Sequence, residues 1–201
     1  MVRWKFVVVF AGSLLASCQL AGAQSKQDAY LSATLIRVVD GDTIKVQLDS
    51  GPITIRLHGI DSPERKQRFG SAATKALRTL VEGELLEIEP VEQSDSYGRM
   101  IATVLVRGRD LNAAMVEAGY AWAYRRYLRR IATDQQYCVL EATARAARRG
   151  IWSDAPATWQ PPWVYRARKR GGTAASPSYV GETAKQCMAA IGRSSGWQAP
   201  R

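Results

Sequence analysis

Three short runs of β-branched and apolar residues near the start of the chain constrain its fold most. The run Ala33–Leu48 forms two such stretches around Asp40-Gly41-Asp42, and Ile53–Ile60 forms a third with clear alternation. Alternation of this kind is typical of a half-buried β-strand, and Asp-Gly between apolar runs is a turn signal. The three stretches together predict a strongly bent β-meander.

The third stretch places a charged side chain on a core strand. Successive side chains of a strand lie on opposite faces, so Ile53, Ile55 and Leu57 share one face. Arg56 falls on the other face together with Thr54. We therefore expect Arg56 to project from the polar side of a largely buried strand.

The remaining elements complete an α+β fold. Helical spacing, turn residues and capping residues mark their bounds. The predicted elements are a first helix over Ser71–Val81, strands over Glu84–Val91 and Arg99–Val106, a second helix capped by Asp110 and running to Glu117, and a third helix capped by Thr133 and running to Arg149. Five short antiparallel strands with helices added late predict a five-stranded OB-type β-barrel with three helices.

The N-terminus has the pattern of an export signal. Arg3 and Lys5 precede the apolar run Phe6–Leu15, which is short for a membrane span. Cleavage after Ala23 would remove residues 1–23 and give a secreted or periplasmic protein. A lipobox ending before Cys18 would instead give a membrane-anchored lipoprotein, and both alternatives stay open.

The C-terminus differs in composition from the central domain, which we place at residues 30–154. Residues 155–201 contain several prolines, a cluster of basic residues and a Gly/Ser-rich run. This composition is typical of a linker-like extension, although Glu182–Ile191 can form a short helix.

The cysteines indicate a disulfide. Once a signal is removed, Cys138 and Cys187 are the pair that remains, and no Cys-x-x-Cys motif accompanies them. In an oxidising compartment such a pair favours a disulfide over a metal site. The single histidine, His58, also argues against a zinc enzyme.

The charge of the chain indicates a polyanionic partner. Cleavage removes Arg3 and Lys5 and no acidic residue, so the formal net charge of +10 becomes +8. A strongly basic protein meets nucleic acid at a raised rate, although the same charge also suits anionic membrane surfaces. We expect DNA and RNA as partners, no protein partner, and a monomer.

Several side chains suit the hydrolysis of a phosphodiester. Asp42, Asp61 and the backbone carbonyl of Ser62 offer the oxygen ligands that calcium prefers. Arg56 and Arg99 each offer a planar fork of N–H donors to phosphate. A carboxylate is also required to orient or deprotonate water, and Glu64, just after Pro63, is placed to do so.

The order of the motifs resembles the thermonuclease, or staphylococcal nuclease-like, family from about Ala33 to Trp152. The motifs are VVDGDTIKV, IRLHGIDSPE, DSYGR, NAAMVEAGYA and ARAARRGIW. The resemblance implies an OB barrel with three helices, calcium-dependent cleavage of DNA and RNA outside the cell, and 3′-phosphate products. It also implies a catalytic trio of Arg56, Glu64 and Arg99, calcium ligands at Asp42, Asp61 and Ser62, and substrate contacts at Tyr97, Tyr124 and Tyr127.

A different class of protein competes with this interpretation. A non-catalytic OB module of the cell envelope could bind nucleic acid through charge and stacking alone. The presence of Glu64 beside Arg56 and Arg99 argues against it, because a phosphate-binding surface gains nothing from an added carboxylate.

Overall fold

The computed structural model describes residues 30–172 and 182–192 of the 201-residue chain. Both alternative cleavage sites of the predicted signal, within residues 1–23, lie outside the described residues. In the ranges that are described, no helix has both the length and the apolar character needed to cross a bilayer.

Five strands close into a barrel. They are the longer strands among the eight that the described residues form: β1 (Leu31–Val38), β2 (Thr43–Leu48), β3 (Gly51–Leu57), β4 (Ile60–Asp61), β5 (Leu85–Glu92), β6 (Met100–Val106), β7 (Arg109–Asp110) and β8 (Trp122–Ala123). The order β3-β2-β1-β5-β6 is closed by parallel pairing of β6 with β3. The predicted five-stranded OB-type barrel is confirmed, but the prediction that all its strands are antiparallel is wrong for the pair β3 and β6. The sequence did not predict the two-residue strands, of which β7 pairs with β6 and β4 pairs with β8.

A bulge bends the first strand of the barrel. Leu35 pairs with Val46 and Arg37 pairs with Lys45, so Ile36 is an extra residue on β1. A bulge of this kind increases the local bend and twist of a strand. The bend lets the meander curl around a core whose buried strand residues include Ile44, Val46, Ile55, Leu57, Leu86, Ile88 and Val104.

The three predicted helices are present, but α1 starts one residue earlier than predicted and α3 differs from its prediction at both ends. The helices are α1 (Gly70–Val81), α2 (Leu111–Glu117), α3 (Ala132–Ala146), α4 (Pro162–Lys169) and α5 (Ala184–Ala189). Asp110 caps α2 as predicted, because its side chain accepts a hydrogen bond from the Ala113 amide at 2.9 Å. The prediction that Thr133 caps α3 is wrong. The helix starts two residues earlier, at Ala132 after Ile131, whose side chain makes no cap bond, and it ends at Ala146 rather than at the predicted Arg149.

The C-terminal extension is more ordered than its composition predicts. Where a linker was expected, α4 packs on the domain through Val164 and Ala167, which are 2% and 5% exposed. The predicted short helix is confirmed as α5, with Thr183 in a capping box. The predicted disulfide is confirmed as well, and it joins Cys138 on α3 to Cys187 on α5.

Candidate active site

The loop between β1 and β2 carries two neighbouring carboxylates. Asp42 is 6% exposed, and its Oδ2 accepts a hydrogen bond from the Ser62 amide at 2.7 Å. Its Oδ1 accepts one from the Thr43 hydroxyl at 3.1 Å. Asp40 accepts a hydrogen bond from the amide of Asp42 at 3.1 Å. Burial, together with the charge of Asp42, raises the pKa of Asp40 to about 6. The sequence did not assign Asp40 to the site.

Gly41 lets this loop lie against the segment that carries Asp61. A Cβ at position 41 would lie 2.7 Å from Ser62 Cβ and 2.8 Å from Ala73 Cβ, closer than side chains pack. The Ser62 hydroxyl also donates to the carbonyl of Gly41 at 2.9 Å. The absence of a side chain at Gly41 is therefore what permits Asp42 to reach the Ser62 backbone.

Arg56 joins two buried carboxylates. Its Nε lies 3.1 Å from Asp42 Oδ1, and its Nη2 donates to Asp61 Oδ1 at 2.9 Å. Its Nη1 donates to the carbonyls of Leu57 and Ile60. Burial alone would lower the pKa of Arg56, but Asp42 and Asp61 outweigh it and raise that pKa above its ordinary value. One guanidinium thus fixes the positions of both carboxylates.

Asp61 is the most buried of the three carboxylates, Asp42, Asp61 and Glu64, that form ion pairs with arginine in this cluster. It lies on β4 opposite Trp122 of β8 and is 1% exposed. Burial raises the pKa of Asp61 even though Arg166 and Arg56 oppose the shift. A carboxylate in such surroundings stays charged only with cationic partners close to it.

Glu64 is held by an arginine that the sequence did not assign. Its Oε1 accepts a hydrogen bond from Arg166 Nη1 at 2.8 Å, and Arg166 also bonds both oxygens of Asp61. Its backbone carbonyl accepts one from the Gln67 amide at 2.7 Å. A Cβ on Gly70 would collide with that same carbonyl, so α1 starts in direct contact with the Glu64 backbone.

Arg99 is held by the turn that precedes β6. It immediately precedes β6, whose Met100 pairs with Ile55 of β3, next to Arg56 in the strand. Its Nε and Nη2 both donate to Asp95 Oδ2, at 2.9 and 2.7 Å. The structure thus brings Asp42, Asp61, Ser62 and Glu64 together around Arg56 and Arg166. Arg99 is oriented by its own turn.

The three candidate tyrosines differ in exposure. Tyr97 is 81% exposed, and the Arg99 guanidinium carbon lies 5.3 Å from the centroid of the Tyr97 ring. Tyr127 is 52% exposed and packs edge-on against Tyr124 at 4.8 Å. Tyr124 is half-buried against Trp163, and burial together with the charge of Asp61 raises its pKa to about 12. Two of the three rings are therefore open to solvent.

The donor set suits a hard cation. Among the described residues, no group of three or more His, Cys, Asp or Glu side chains is arranged to hold a metal ion. Asp42 and Asp61 nevertheless converge on one guanidinium, and the Asp42 carboxylate is bonded to the Ser62 backbone. The side chains of Asp42 and Asp61 offer oxygen ligands only, which fits a hard cation better than zinc.

Comparison with known proteins gives consistent matches. Residues 54–154 match a family described as staphylococcal nuclease homologue. The chain is 41% identical over 142 residues to an uncharacterized endonuclease of Escherichia coli O157:H7, covering 70% of this chain and 88% of that protein. It is 38% identical over 175 residues to protein ParB of Escherichia coli, covering 83% and 94%. It is 37% identical over 148 residues to a micrococcal nuclease of Shigella flexneri, covering 69% and 82%.

Proposed function

The chain belongs to the staphylococcal nuclease homologue family and is a nuclease, and we propose that it depends on calcium and cuts both DNA and RNA. The observation that carries the proposal is the cluster in which Arg56 joins Asp42 to Asp61 and Arg166 joins Asp61 to Glu64. A surface that only binds phosphate has no use for enclosed carboxylates, because they repel the nucleic acid backbone. The cluster therefore favours catalysis over a non-catalytic binding module.

Asp42, Asp61 and the carbonyl of Ser62 would hold the cation. When bound, a divalent cation neutralises negative charge on the scissile phosphate and polarises its P–O bonds. The side chains of Asp42 and Asp61 are 8% and 1% exposed, so their charges are weakly screened by water. The contacts that Arg56 makes with both carboxylates keep them in place.

Glu64 and the two arginines would carry out the protein's part of the reaction. Glu64 accepts a proton from water as the water oxygen bonds to phosphorus. The bond from phosphorus to the 5′ oxygen breaks, and that oxygen takes a proton from solvent. Arg56 and Arg99 donate N–H groups to the equatorial oxygens, where negative charge increases in the transition state. Products with 3′-phosphates are proposed on family membership alone.

The open aromatic rings would contact the substrate outside the reacting centre. Tyr97 and Tyr127 are 81% and 52% exposed, and Arg99 and Arg126 lie against their rings. Aromatic rings stack on any base, and arginine neutralises phosphate, so this surface suits single strands with little sequence preference.

We also propose that the protein is exported. The N-terminal pattern of charge followed by an apolar run motivates this proposal. The disulfide between Cys138 and Cys187 supports it, because disulfides form and persist in oxidising compartments. Lipidation at Cys18 remains the alternative to cleavage after Ala23.

The central test is cleavage by the purified protein with calcium and with a chelator. Plasmid DNA, single-stranded DNA and RNA are each incubated with wild-type protein and with Glu64→Gln, purified in the same way. We expect calcium-dependent cleavage by the wild type and turnover lowered by about 10²–10⁴-fold in Glu64→Gln. The matched variant excludes a contaminating nuclease. Undiminished cleavage in excess chelator would contradict calcium dependence.

A further inference from the structure

Arg166 of α4 makes a two-pronged contact with the candidate cation ligand Asp61. Its Nη2 donates to Asp61 Oδ2 at 2.7 Å, and its Nη1 lies 3.1 Å from Asp61 Oδ1. The same Nη1 donates to Glu64 Oε1 at 2.8 Å. Arg166 lies beyond residue 154, where the family match ends. Arg166, a residue of the C-terminal extension, is thus hydrogen-bonded to the carboxylates of Asp61 and Glu64 in the central domain.

The backbone of α4 is anchored while the end of Arg166 stays accessible. Trp163 stacks on Tyr124, and the Gln67 side chain donates to the carbonyl of Gln160 just before the helix. Val164 is buried beneath the helix. In contrast, the Arg166 side chain is 31% exposed, against 1% for Asp61. Its guanidinium can therefore move towards solvent without the helix leaving its position.

We propose that Arg166 is an internal counter-ion of the active site, which neutralises Asp61 and Glu64 until a divalent cation displaces it from Asp61. This inference depends on the proposed function, since it concerns the same cation site. Guanidinium groups donate to both oxygens of Asp61, and their positive charge repels an arriving cation. Arg56 is fixed by the carbonyls of Leu57 and Ile60, whereas Arg166 is the more exposed partner.

Arg166 consequently sets the affinity of the site for its cation. With Arg166 present, two guanidinium groups offset two of the three negative charges of Asp42, Asp61 and Glu64. Removal of this positive charge leaves the site more negative and takes the Arg166 contacts away from Asp61 and Glu64 Oε1. We expect Arg166→Ala to bind calcium about 10–100-fold more tightly than the wild type. Arg166→Lys keeps the charge but loses the fork, so its affinity should fall in between.

Isothermal titration calorimetry of the full-length chain with calcium chloride measures this directly, without reference to cleavage. The four proteins compared are the wild type, Arg166→Ala, Arg166→Lys and Lys169→Ala. Lys169 is the last residue of the same helix and is exposed, so its removal costs the same charge away from the carboxylates. Lys169→Ala should keep the wild-type Kd. Added calcium should also raise the Tm of Arg166→Ala more than that of the wild type, because a tighter ligand stabilises more.

The possible results separate this inference from the proposed function. A folded Arg166→Ala protein whose calcium Kd equals or exceeds the wild-type value overturns the counter-ion role and leaves calcium dependence intact. If Arg166→Ala does not fold, Arg166→Gln, which also removes the charge, takes its place, and an unchanged Kd in that variant likewise overturns the counter-ion role. If none of the four proteins binds calcium, the calcium-dependent function itself is overturned, and the inference with it.

Discussion

The ring of Trp163 lies parallel to that of Tyr124, at an interplanar angle of 3° and with 5.0 Å between the centroids. Trp163 belongs to α4 and Tyr124 follows β8. The extension thus covers one face of a tyrosine that the sequence assigned to the substrate. Tyr127, which packs edge-on against Tyr124, keeps half of its surface open. Stacking of a base in this region consequently depends on Tyr127 more than on Tyr124.

Replacement of Tyr127 by alanine should weaken the binding of single-stranded DNA by about 1–3 kcal/mol, the contribution of one stacked base. The measurement is a fluorescence anisotropy titration with protein that also carries Glu64→Gln, so that the DNA stays intact. Tyr127→Phe is the matched control, since it keeps the ring and should keep the affinity. Equal affinities in the alanine and phenylalanine variants would remove Tyr127 from the binding surface.

The barrel and most of the site residues could be predicted because their signals are local. Alternation sets the strands, and Asp110 caps α2 through an amide three residues away. The position of Arg166 has no such local signal, because its partner Asp61 is 105 residues earlier in the chain. Pairing over such a separation follows from tertiary packing, which a pattern of neighbouring residues does not encode.

The sequence nevertheless contained a weak signal for α4. Pro161 and Pro162 are typical of a linker, but proline is also well tolerated in the first turn of a helix. Trp163, Val164 and Ala167 then have the spacing of an apolar helix face. The basic cluster of residues 166–170 obscured that pattern, since runs of charge are typical of solvated segments.

Lysine substitution should affect the two candidate arginines differently. Arg56 bonds Asp42, Asp61 and two backbone carbonyls, so Arg56→Lys should lower both turnover and the free energy of unfolding. Arg99 is oriented by Asp95 on a part-exposed turn, so Arg99→Lys should lower turnover by about 10²-fold with little loss of stability. Turnover is measured at saturating calcium, and stability by urea unfolding.

These two variants act as controls for each other, because both keep the charge and lose the fork. Wild-type turnover in Arg99→Lys would remove Arg99 from the mechanism. Unchanged stability in Arg56→Lys would contradict the organising role of its contacts with Asp42 and Asp61.

Asp134 should make the fold sensitive to acid. It is 2% exposed, and it bonds the ring of His58 at 2.9 Å and the backbone and side chain of Arg129. Burial opposes ionisation, but the hydrogen bonds with His58 and Arg129 outweigh it and hold the pKa of Asp134 well below its ordinary value. The lowered pKa stabilises the folded state at pH values above about 4, the unfolded value, and this contribution is lost as the pH falls towards the folded pKa.

The prediction is tested with Asp134→Asn, which should lower the free energy of unfolding at pH 7 by about 1.5–3 kcal/mol. The same variant should lose less stability than the wild type between pH 5 and pH 3, because the titrating group is gone. Asp49→Asn, at an exposed turn, is the control and should follow the wild-type curve. Parallel curves for the wild type and Asp134→Asn would contradict the assignment.

The disulfide between Cys138 and Cys187 should hold the extension on the domain without being required for cleavage. It spans 49 residues, and the closed segment contains α4, so chain entropy suggests a stabilisation of about 4 kcal/mol at most. Reduction, or the double change to serine, should therefore lower the Tm.

Cleavage at moderate temperature should survive the loss of this bond, because Asp42, Asp61 and Glu64 all precede Cys138, and the stack of Trp163 on Tyr124 still holds α4. Thiol titration of the native, non-reduced mature chain should find no free thiol, since both sulfurs are consumed in the bond. Two free thiols per chain would show that the bond is absent from the protein in solution. The segment that contains α5 would then be held by packing, by the ion pairs of Glu182 with Arg125 and Arg145, and by the hydrogen bonds that Arg130 and the Gly192 amide donate to backbone carbonyls.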